Sequence, residues 1–155
     1  MEQTIKVARH RSTPYVFNYN TNGGTKRYEW SGSVGSRIDS KLLPNEAVDW
    51  LLMNSTCFRM GELVIIEDSE QAKEIVENLG SDLDEYKNNI RTKDEIISIL
   101  QGNFQKMQKT LNSITVDAEK KFVVEIAKEL SSDLIGSKLK FIAEWMGVPQ
   151  DILFG

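Results

Sequence analysis

Apolar and polar residues alternate along the first part of the chain and recur at helical spacing along the rest. Residues 15–19 place an aromatic side chain at every second position, which is the period of a strand with one aromatic face. Residues 20–24 are Asn, Thr and Gly, of which Asn and Gly tolerate positive φ, and they predict a hairpin reversal. Lys26, Tyr28 and Trp30 then alternate with polar residues and form the returning strand.

Four further segments complete a small β-rich module over residues 1–67. Residues 4–8 predict a third strand, and the Gly- and Ser-rich residues 31–36 predict a flexible loop. Pro44 suits the first turn of a short helix over residues 44–53, and the apolar residues 62–66 predict a short buried strand.

Residues 68–155 predict a second, all-helical module. Asp68 is a candidate N-cap for a helix to about residue 79, with Gln71 in the capping-box position and Gly80 as the stop. A second capping box at Thr92 predicts a helix that begins at Lys93.

A stripe of apolar residues follows Lys93 at alternating spacings of three and four. Its members are Ile97, Leu100, Phe104, Met107, Leu111 and Ile114. One continuous helix to about Asn112 accounts for this spacing, although the sequence leaves open whether Gly102 breaks it. A partner helix opens near residue 115 or 117 and forms a long antiparallel hairpin with the first. A final helix over residues 137–146 ends at Gly147 and precedes a short turn to Phe154. The fold class is therefore α+β, with the two modules meeting at residues 67 and 68.

Charge divides the chain differently from the pattern of elements. The 155 residues carry a formal net charge of −4, yet residues 1–41 hold seven Lys and Arg against three Asp and Glu. The remaining residues hold 12 basic and 20 acidic side chains. Such asymmetry suggests two modules with different partners.

Several function classes are excluded by the absence of suitable residues. One cysteine, Cys57, allows no internal disulfide, and with one histidine, His10, it leaves a structural zinc site unsupported. No apolar run reaches the roughly 18 residues of a membrane span, and residues 1–4 do not begin a signal peptide. No nucleotide-binding loop or catalytic constellation appears, so we expect no catalytic residue, no cofactor, no metal and no enzymatic activity.

The basic and aromatic residues around the hairpin are the first candidate for function. They either grip single-stranded nucleic acid or meet an acidic protein surface, whereas the alternative is that the aromatic members form the module's own core. The tentative partner-binding set is Arg9, Arg11, Tyr15, Tyr19, Lys26, Arg27, Tyr28 and Trp30.

The stripe from Ile97 to Ile114 is the second candidate, because an apolar helical stripe is either core or an oligomer seam. The third candidate is the end of the chain, where Ala143, Gly147 and the turn after it resemble a helix-turn-helix core. Its second helix is short and carries Asp151 but no Lys or Arg, so DNA recognition there is disfavoured.

Scattered aromatic, Gly and Pro positions carry a resemblance to a known group of proteins. They are Tyr28-Glu29-Trp30-Ser31-Gly32-Ser33, Pro44 with Trp50-Leu51, and Phe58-Arg59-Met60-Gly61-Glu62-Leu63. This pattern resembles small proteins of the head and neck gene clusters of tailed phages and prophages of Gram-positive bacteria. Some of these join a compact β-module to a helical module that is similar to a helix–extended–helix fold. The resemblance implies a non-enzymatic minor virion or assembly protein.

The working hypothesis is a structural interaction protein of a phage-like particle, such as a minor virion protein, a capsid decoration or a head–tail connector component. We expect it to dock through the N-terminal β-module onto a capsid, portal or neck protein. It would be found in the virion, or in the host cytoplasm during assembly. We further expect a homo-oligomer and no membrane partner. The alternative is a nucleic-acid-binding accessory or regulatory protein that uses the basic hairpin or the C-terminal element. A small inhibitor of a host factor is a third reading.

Overall fold

The computed structural model describes residues 3–21, 23–34 and 37–154. The chain divides into two units, Met1–Ile90 and Arg91–Gly155, each built around its own cluster of buried apolar residues. The sequence placed the boundary between residues 67 and 68, and this is wrong, because Ala72, Ile75 and Tyr86 pack into the core of the first unit. The helical residues 70–88 therefore complete the N-terminal module.

The described residues of the first unit form five strands in two sheets. Strand β1 (Thr4–Arg9) lies between β4 (Asp39–Pro44) and the short β5 (Val64–Ile65), antiparallel to both. Strands β2 (Tyr15–Thr21) and β3 (Gly24–Trp30) form a separate two-stranded sheet. The helices of this unit are α1 (Asn45–Asn54), α2 (Glu70–Glu77), a 3₁₀ turn (Gly80–Asp82) and α3 (Leu83–Asn88).

The predicted hairpin is confirmed, with Tyr15 opposite Trp30 and Thr21 opposite Gly24. Asn22, which belongs to the predicted reversal, lies outside the described residues, as do Gly35 and Ser36 of the predicted loop. The third predicted strand exists as β1, but it pairs with β4 and β5 rather than with the hairpin.

The predicted short elements of the first unit lie close to where the sequence placed them. Pro44 is the N-cap of α1, and the predicted strand over residues 62–66 is realised as β5. Helix α2 begins one residue later than expected, because the N-cap is Ser69, whose hydroxyl accepts the Ala72 N–H, and not Asp68.

The second unit is helical, as predicted. Its helices are α4 (Lys93–Gln101), α5 (Phe104–Asn112), α6 (Asp117–Glu129), α7 (Gly136–Met146) and the short α8 (Gln150–Phe154). The capping box at Thr92 is present. Helices α6 and α7 pack against α4 and α5 around a shared core. The α+β class, with a C-terminal helical module, is thus confirmed.

The long helix expected from Lys93 to Asn112 is wrong, because the chain breaks at Gly102 and Asn103. Gly102 adopts an extended conformation, and Asn103 caps α5 by accepting the Lys106 N–H. The carbonyls of Leu100 and Gly102 each accept a hydrogen bond of 2.7 Å from the buried Lys138 ammonium. The Lys138 side chain on α7 thus donates to carbonyls that have no hydrogen-bond partner within the helix at the end of α4.

Candidate docking surface on the N-terminal unit

Arg9 and Arg11 were predicted as surface cations, and the structure corrects this. Both side chains are buried and share the Glu62 carboxylate, at 2.8 Å from Arg9 and 3.1 Å from Arg11. Arg9 also donates to the carbonyl and the hydroxyl of Thr13. A buried guanidinium requires a counter-charge and acceptors, and here the fold itself supplies them.

The segment from Arg9 to Arg11 connects the end of β1 to two distant parts of the first unit. Arg11 donates to the carbonyls of Met60 at 2.7 Å and Asn89 at 3.3 Å. The His10 Nδ1 lies 2.7 Å from the Ile90 carbonyl. These contacts hold the last residues of the unit against its sheet, so the segment stabilises the fold and is not free to bind a partner.

Two aromatic residues of the predicted set also belong to the core. Trp30 is fully buried and its indole N–H donates to the Val7 carbonyl at 2.9 Å. Tyr28 is buried and stacks on Phe17, with 6.0 Å between ring centroids. The core interpretation of the aromatic face is correct for these residues.

Tyr15 is half-buried, with the Arg9 guanidinium 5.5 Å from its ring centroid. Burial raises the pKa of Tyr15 to about 12, and it raises the pKa of Cys57 to about 11. Both groups therefore stay protonated at neutral pH, and Cys57 behaves as a small core residue.

The predicted partner-binding residues that are exposed lie at one end of the hairpin, near the outer side of α1. Lys26 and Arg27 are exposed, and Tyr19, which pairs with Lys26, is half-buried. Trp50 of α1 lies over Phe17 and beside Tyr19, at centroid distances of 5.8 and 6.4 Å, and is still 43% exposed. We call the set Tyr19, Lys26, Arg27, Trp50 and Met53 the hairpin surface.

Trp50 and Met53 were not among the predicted site residues. Met53 follows Trp50 by three positions on α1, so the two share one face of the helix, and Met53 is 84% exposed. This spacing was visible in the sequence, and large apolar side chains on the outer face of a short helix are a recognisable sign of an interaction surface.

The charges on this surface are of both signs. Arg27 pairs with Glu29 at 3.2 Å, and both side chains are more than half exposed. The Lys26 ammonium lies 5.5 Å from the centre of the Tyr28 ring. Glu46 and Asp49 lie exposed on α1. The surface therefore offers a partly exposed indole with Lys26 on the same face of the hairpin, an arrangement suited to protein recognition.

The apolar stripe of the second unit was the predicted oligomer seam. Four members, Leu100, Met107, Leu111 and Ile114, are buried in the core of that unit, and Ile97 and Phe104 pack partly buried against it. The Phe104 ring contacts Phe141 edge-on at 6.0 Å. The stripe faces its own core across the break at Gly102, so these residues do not form a free surface.

The C-terminal element has the turn that the sequence indicated. Gly147 ends α7 in the left-handed conformation with φ of 70°, and Ala143 and Ile142 are buried behind it. Helix α8 spans only five residues, with Asp151 in its first turn. This short helix holds no Lys or Arg that could contact a phosphate or a guanine edge.

Two general site types are not found in the part of the chain that the structure describes. Within it, no group of three or more His, Cys, Asp and Glu side chains is arranged to hold a metal ion. None of its helices has the length and hydropathy needed to cross a membrane.

Comparison with protein families gives two adjacent matches. The family model of the YonA N-terminal domain matches residues 3–81, and that of the YonA C-terminal domain matches residues 92–152. The chain belongs to the YonA family. The two YonA matches flank the unit boundary that follows Ile90. YonA is a name of phage- and prophage-associated proteins, in agreement with the phage resemblance of the sequence. No curated protein and no solved structure matched the chain.

Proposed function

We propose that the protein is a non-enzymatic structural component of a phage-like particle and docks through the hairpin surface. The observation that carries the proposal is Trp50, which is stacked on Phe17 yet 43% exposed at the edge of an aromatic cluster. Membership of the YonA family supports the phage context. In this role the protein is a minor virion protein, a capsid decoration or a component of the head–tail connector, present in the virion and in the host cytoplasm during assembly.

The geometry around Trp50 supports binding to another protein. Tryptophan, tyrosine and arginine dominate binding energy at interfaces when they are held rigidly and become desolvated. Trp50 is fixed by its ring contacts with Phe17 and Tyr19, so little side-chain entropy is lost when a partner covers it. Lys26 pairs with Tyr19 and so supplies a positive charge on the same face as the anchor, while Arg27 adds one on the opposite face of the hairpin. This charge favours an acidic face on a capsid, portal or neck protein.

The burial of Arg9 and Arg11 weighs against nucleic acid as the principal partner. These two cations are neutralised by Glu62, which leaves Lys26 and Arg27 as the exposed cations of the hairpin. Affinity for nucleic acid depends on the number of phosphates that are neutralised, and two cations neutralise few.

Cys57 supports a non-enzymatic role. It is the only cysteine of the chain and is buried, and burial raises the pKa of its thiol to about 11. A nucleophilic cysteine requires a lowered pKa and access to substrate, and Cys57 has neither.

Binding to purified capsid, portal and neck proteins from a particle that encodes this chain tests the proposal. Trp50→Ala is expected to weaken binding by more than about tenfold, because it removes the anchor. The double variant Lys26→Glu with Arg27→Glu is expected to slow association and to remove much of its salt dependence.

The matched control reverses two exposed lysines of the second unit, Lys121→Glu with Lys140→Glu, and leaves the hairpin surface unchanged. Circular dichroism verifies that each variant is folded. Binding that is equal for the wild type and the Trp50→Ala variant contradicts docking through the hairpin surface. Tight, salt-sensitive retention of nucleic acid by the wild type favours the nucleic-acid alternative.

A further inference from the structure

One edge of the hairpin has backbone groups with no partner in the described chain. In a hairpin with a two-residue loop, the residue pair that flanks the loop exchanges hydrogen bonds, and bonded pairs then alternate with non-bonded pairs. Thr21 and Gly24 flank the loop, so Tyr19, Phe17 and Tyr15 bond to β3. The N–H and C=O groups of Val16, Asn18 and Asn20 therefore point away from β3.

These groups are accessible. Val16, Asn18 and Asn20 are all exposed, and across the described residues no backbone hydrogen bond outside the strand ladders reaches them. The edge also carries no Lys, Glu, Asp or Arg, because the sequence from Tyr15 to Thr21 is uncharged. Proteins commonly guard open edges with charges, proline or bulges, and this edge has none of these within the strand.

We propose that the edge of β2 pairs with the β2 edge of a second copy of this chain. Antiparallel pairing centred on Asn18 places Asn18 opposite its own copy and Val16 opposite Asn20, in both directions. The two hairpins then form one four-stranded sheet about a two-fold axis. This partner goes beyond the particle contact proposed above, since Lys26 and Arg27 lie on β3, one strand away from the pairing edge.

The charges on the two edges of the hairpin favour self-pairing of β2 over self-pairing of β3. Symmetric pairing of β2 brings no like charges together, and the two Asn18 amides can hydrogen-bond to each other. The equivalent pairing of β3 about Arg27 sets that arginine opposite its own copy, which is unfavourable. The start of β4 also occupies the end of the β3 edge, where the Asp39 carboxylate accepts the Ser31 N–H at 2.9 Å.

Apolar side chains beside the β2 edge favour the same arrangement. Val16 is 40% exposed on the outer face of the strand, and Tyr19 is half-buried on the inner face. In the symmetric register Tyr19 meets Phe17 of the second copy, so the aromatic layer continues across the two-fold axis. The pairing thus removes apolar surface from water as well as completing the backbone hydrogen bonds.

The molar mass of the protein in solution, measured by size-exclusion chromatography with light scattering across a concentration series, tests the pairing. The wild type is expected to approach twice its chain mass of 17.6 kDa as concentration rises. Asn18→Glu is expected to be monomeric, because two carboxylates then face each other across the axis. In the folded monomer the same carboxylate faces Arg27 on the neighbouring strand, so the variant keeps its fold.

A charge-swapped mixture adds a test that loss of folding cannot imitate. Asn18→Lys alone is expected to be monomeric, and an equal mixture of it with Asn18→Glu is expected to restore the dimer. The matched control is Thr25→Glu on the β3 edge, which is expected to leave the dimer intact. In addition, Asn18→Cys is expected to cross-link under a mild oxidant, because directly opposed bonded residues have Cα atoms about 5.5 Å apart; Thr25→Cys is not.

Three results overturn the proposal. The first is a wild type that stays monomeric at the highest soluble concentration. The second is a dimer that persists in Asn18→Glu, and the third is a dimer that Thr25→Glu disrupts as strongly as Asn18→Glu does. The first result includes a wild type that stays monomeric but binds an extended peptide at this edge, since the occupant is then not a second copy.

Discussion

At the scale of single residues, Glu62 decides which cations the protein can present to a partner. Its carboxylate bonds both Arg9 and Arg11, which are 3% exposed, while Glu62 itself keeps partial contact with solvent. Nothing in the local sequence around Arg9 indicates this, because Glu62 lies 53 positions further along the chain. A basic segment near the N-terminus therefore looks like a binding surface until its distant counter-charge is known.

We predict that Glu62→Gln destabilises the protein by roughly 2–4 kcal/mol, because it leaves two buried guanidinium groups without their shared counter-charge. The free energy of unfolding in urea measures the effect. Glu29→Gln is the control, since the exposed pair of Glu29 with Arg27 contributes less than about 1 kcal/mol. Equal stability of Glu62→Gln and the wild type contradicts a stabilising role for this ion pair.

A second prediction concerns alkaline pH. The folded protein raises the pKa of Cys57 from 9.0 to about 11 and that of Tyr15 from 10.0 to about 12, in both cases mainly through burial. Their contribution to stability is fully present below pH 9 and is lost as pH rises through these folded-state values. The free energy of unfolding is therefore expected to fall between pH 9 and about pH 12.

Urea unfolding at a series of pH values measures this fall, and Cys57→Ala is expected to make it shallower. The Cys57 thiol is also expected to react slowly with an alkylating reagent in the native state and rapidly in urea. A native thiol that reacts as fast as a free cysteine at neutral pH is inconsistent with the buried position of Cys57.

At the scale of secondary structure, local patterns predicted the elements well wherever local chemistry determines them. The alternation from Tyr15 to Tyr19 located β2, and the capping box at Thr92 located the start of α4. Strand β4 was missed, because residues 39–44 show no clear alternation and are held by pairing with the distant β1. The sequence left open whether Gly102 breaks the helix, because α4 and α5 pack into one core and so keep the helical spacing across the break.

The contacts of Lys138 at this break give a further prediction. Its ammonium donates to the Leu100 and Gly102 carbonyls, so Lys138→Met leaves both without this donor and is expected to cost about 1–3 kcal/mol. Thermal unfolding followed by circular dichroism measures the change. Lys140→Met, an exposed site on the same helix, is the control and is expected to change stability little. Equal melting of the two variants contradicts the capping role.

At the scale of the whole molecule, two separate cores define two units. The first core draws on both sheets, α1, α2 and α3, and the second draws on helices α4 to α7. The charge asymmetry in the sequence changes sign near residue 41, inside the first unit, and the helical pattern beginning near residue 68 also lies before the end of that unit at Ile90. Long-range packing of Ala72, Ile75 and Tyr86 onto the sheets decides the boundary, and periodicity carries no information about it.

Fragments of the chain test this boundary. A fragment of residues 1–90 and a fragment of residues 91–155 are each expected to unfold cooperatively, since each contains a complete core. A fragment of residues 1–67 is expected to lack a cooperative transition, because it loses three buried residues of its core. Thermal melts followed by circular dichroism distinguish these outcomes. Cooperative unfolding of residues 1–67 at the same temperature as residues 1–90 contradicts the boundary at Ile90.

The central claim is that the protein is part of a phage-like particle and is held there by its hairpin surface. Sedimentation of particles from cells that produce the tagged chain tests this claim most directly. The wild type is expected to co-sediment with particles in a density gradient, and the Trp50→Ala variant is expected to remain at the top although it is folded. A wild-type chain that stays at the top of the gradient while complete particles sediment contradicts the claim.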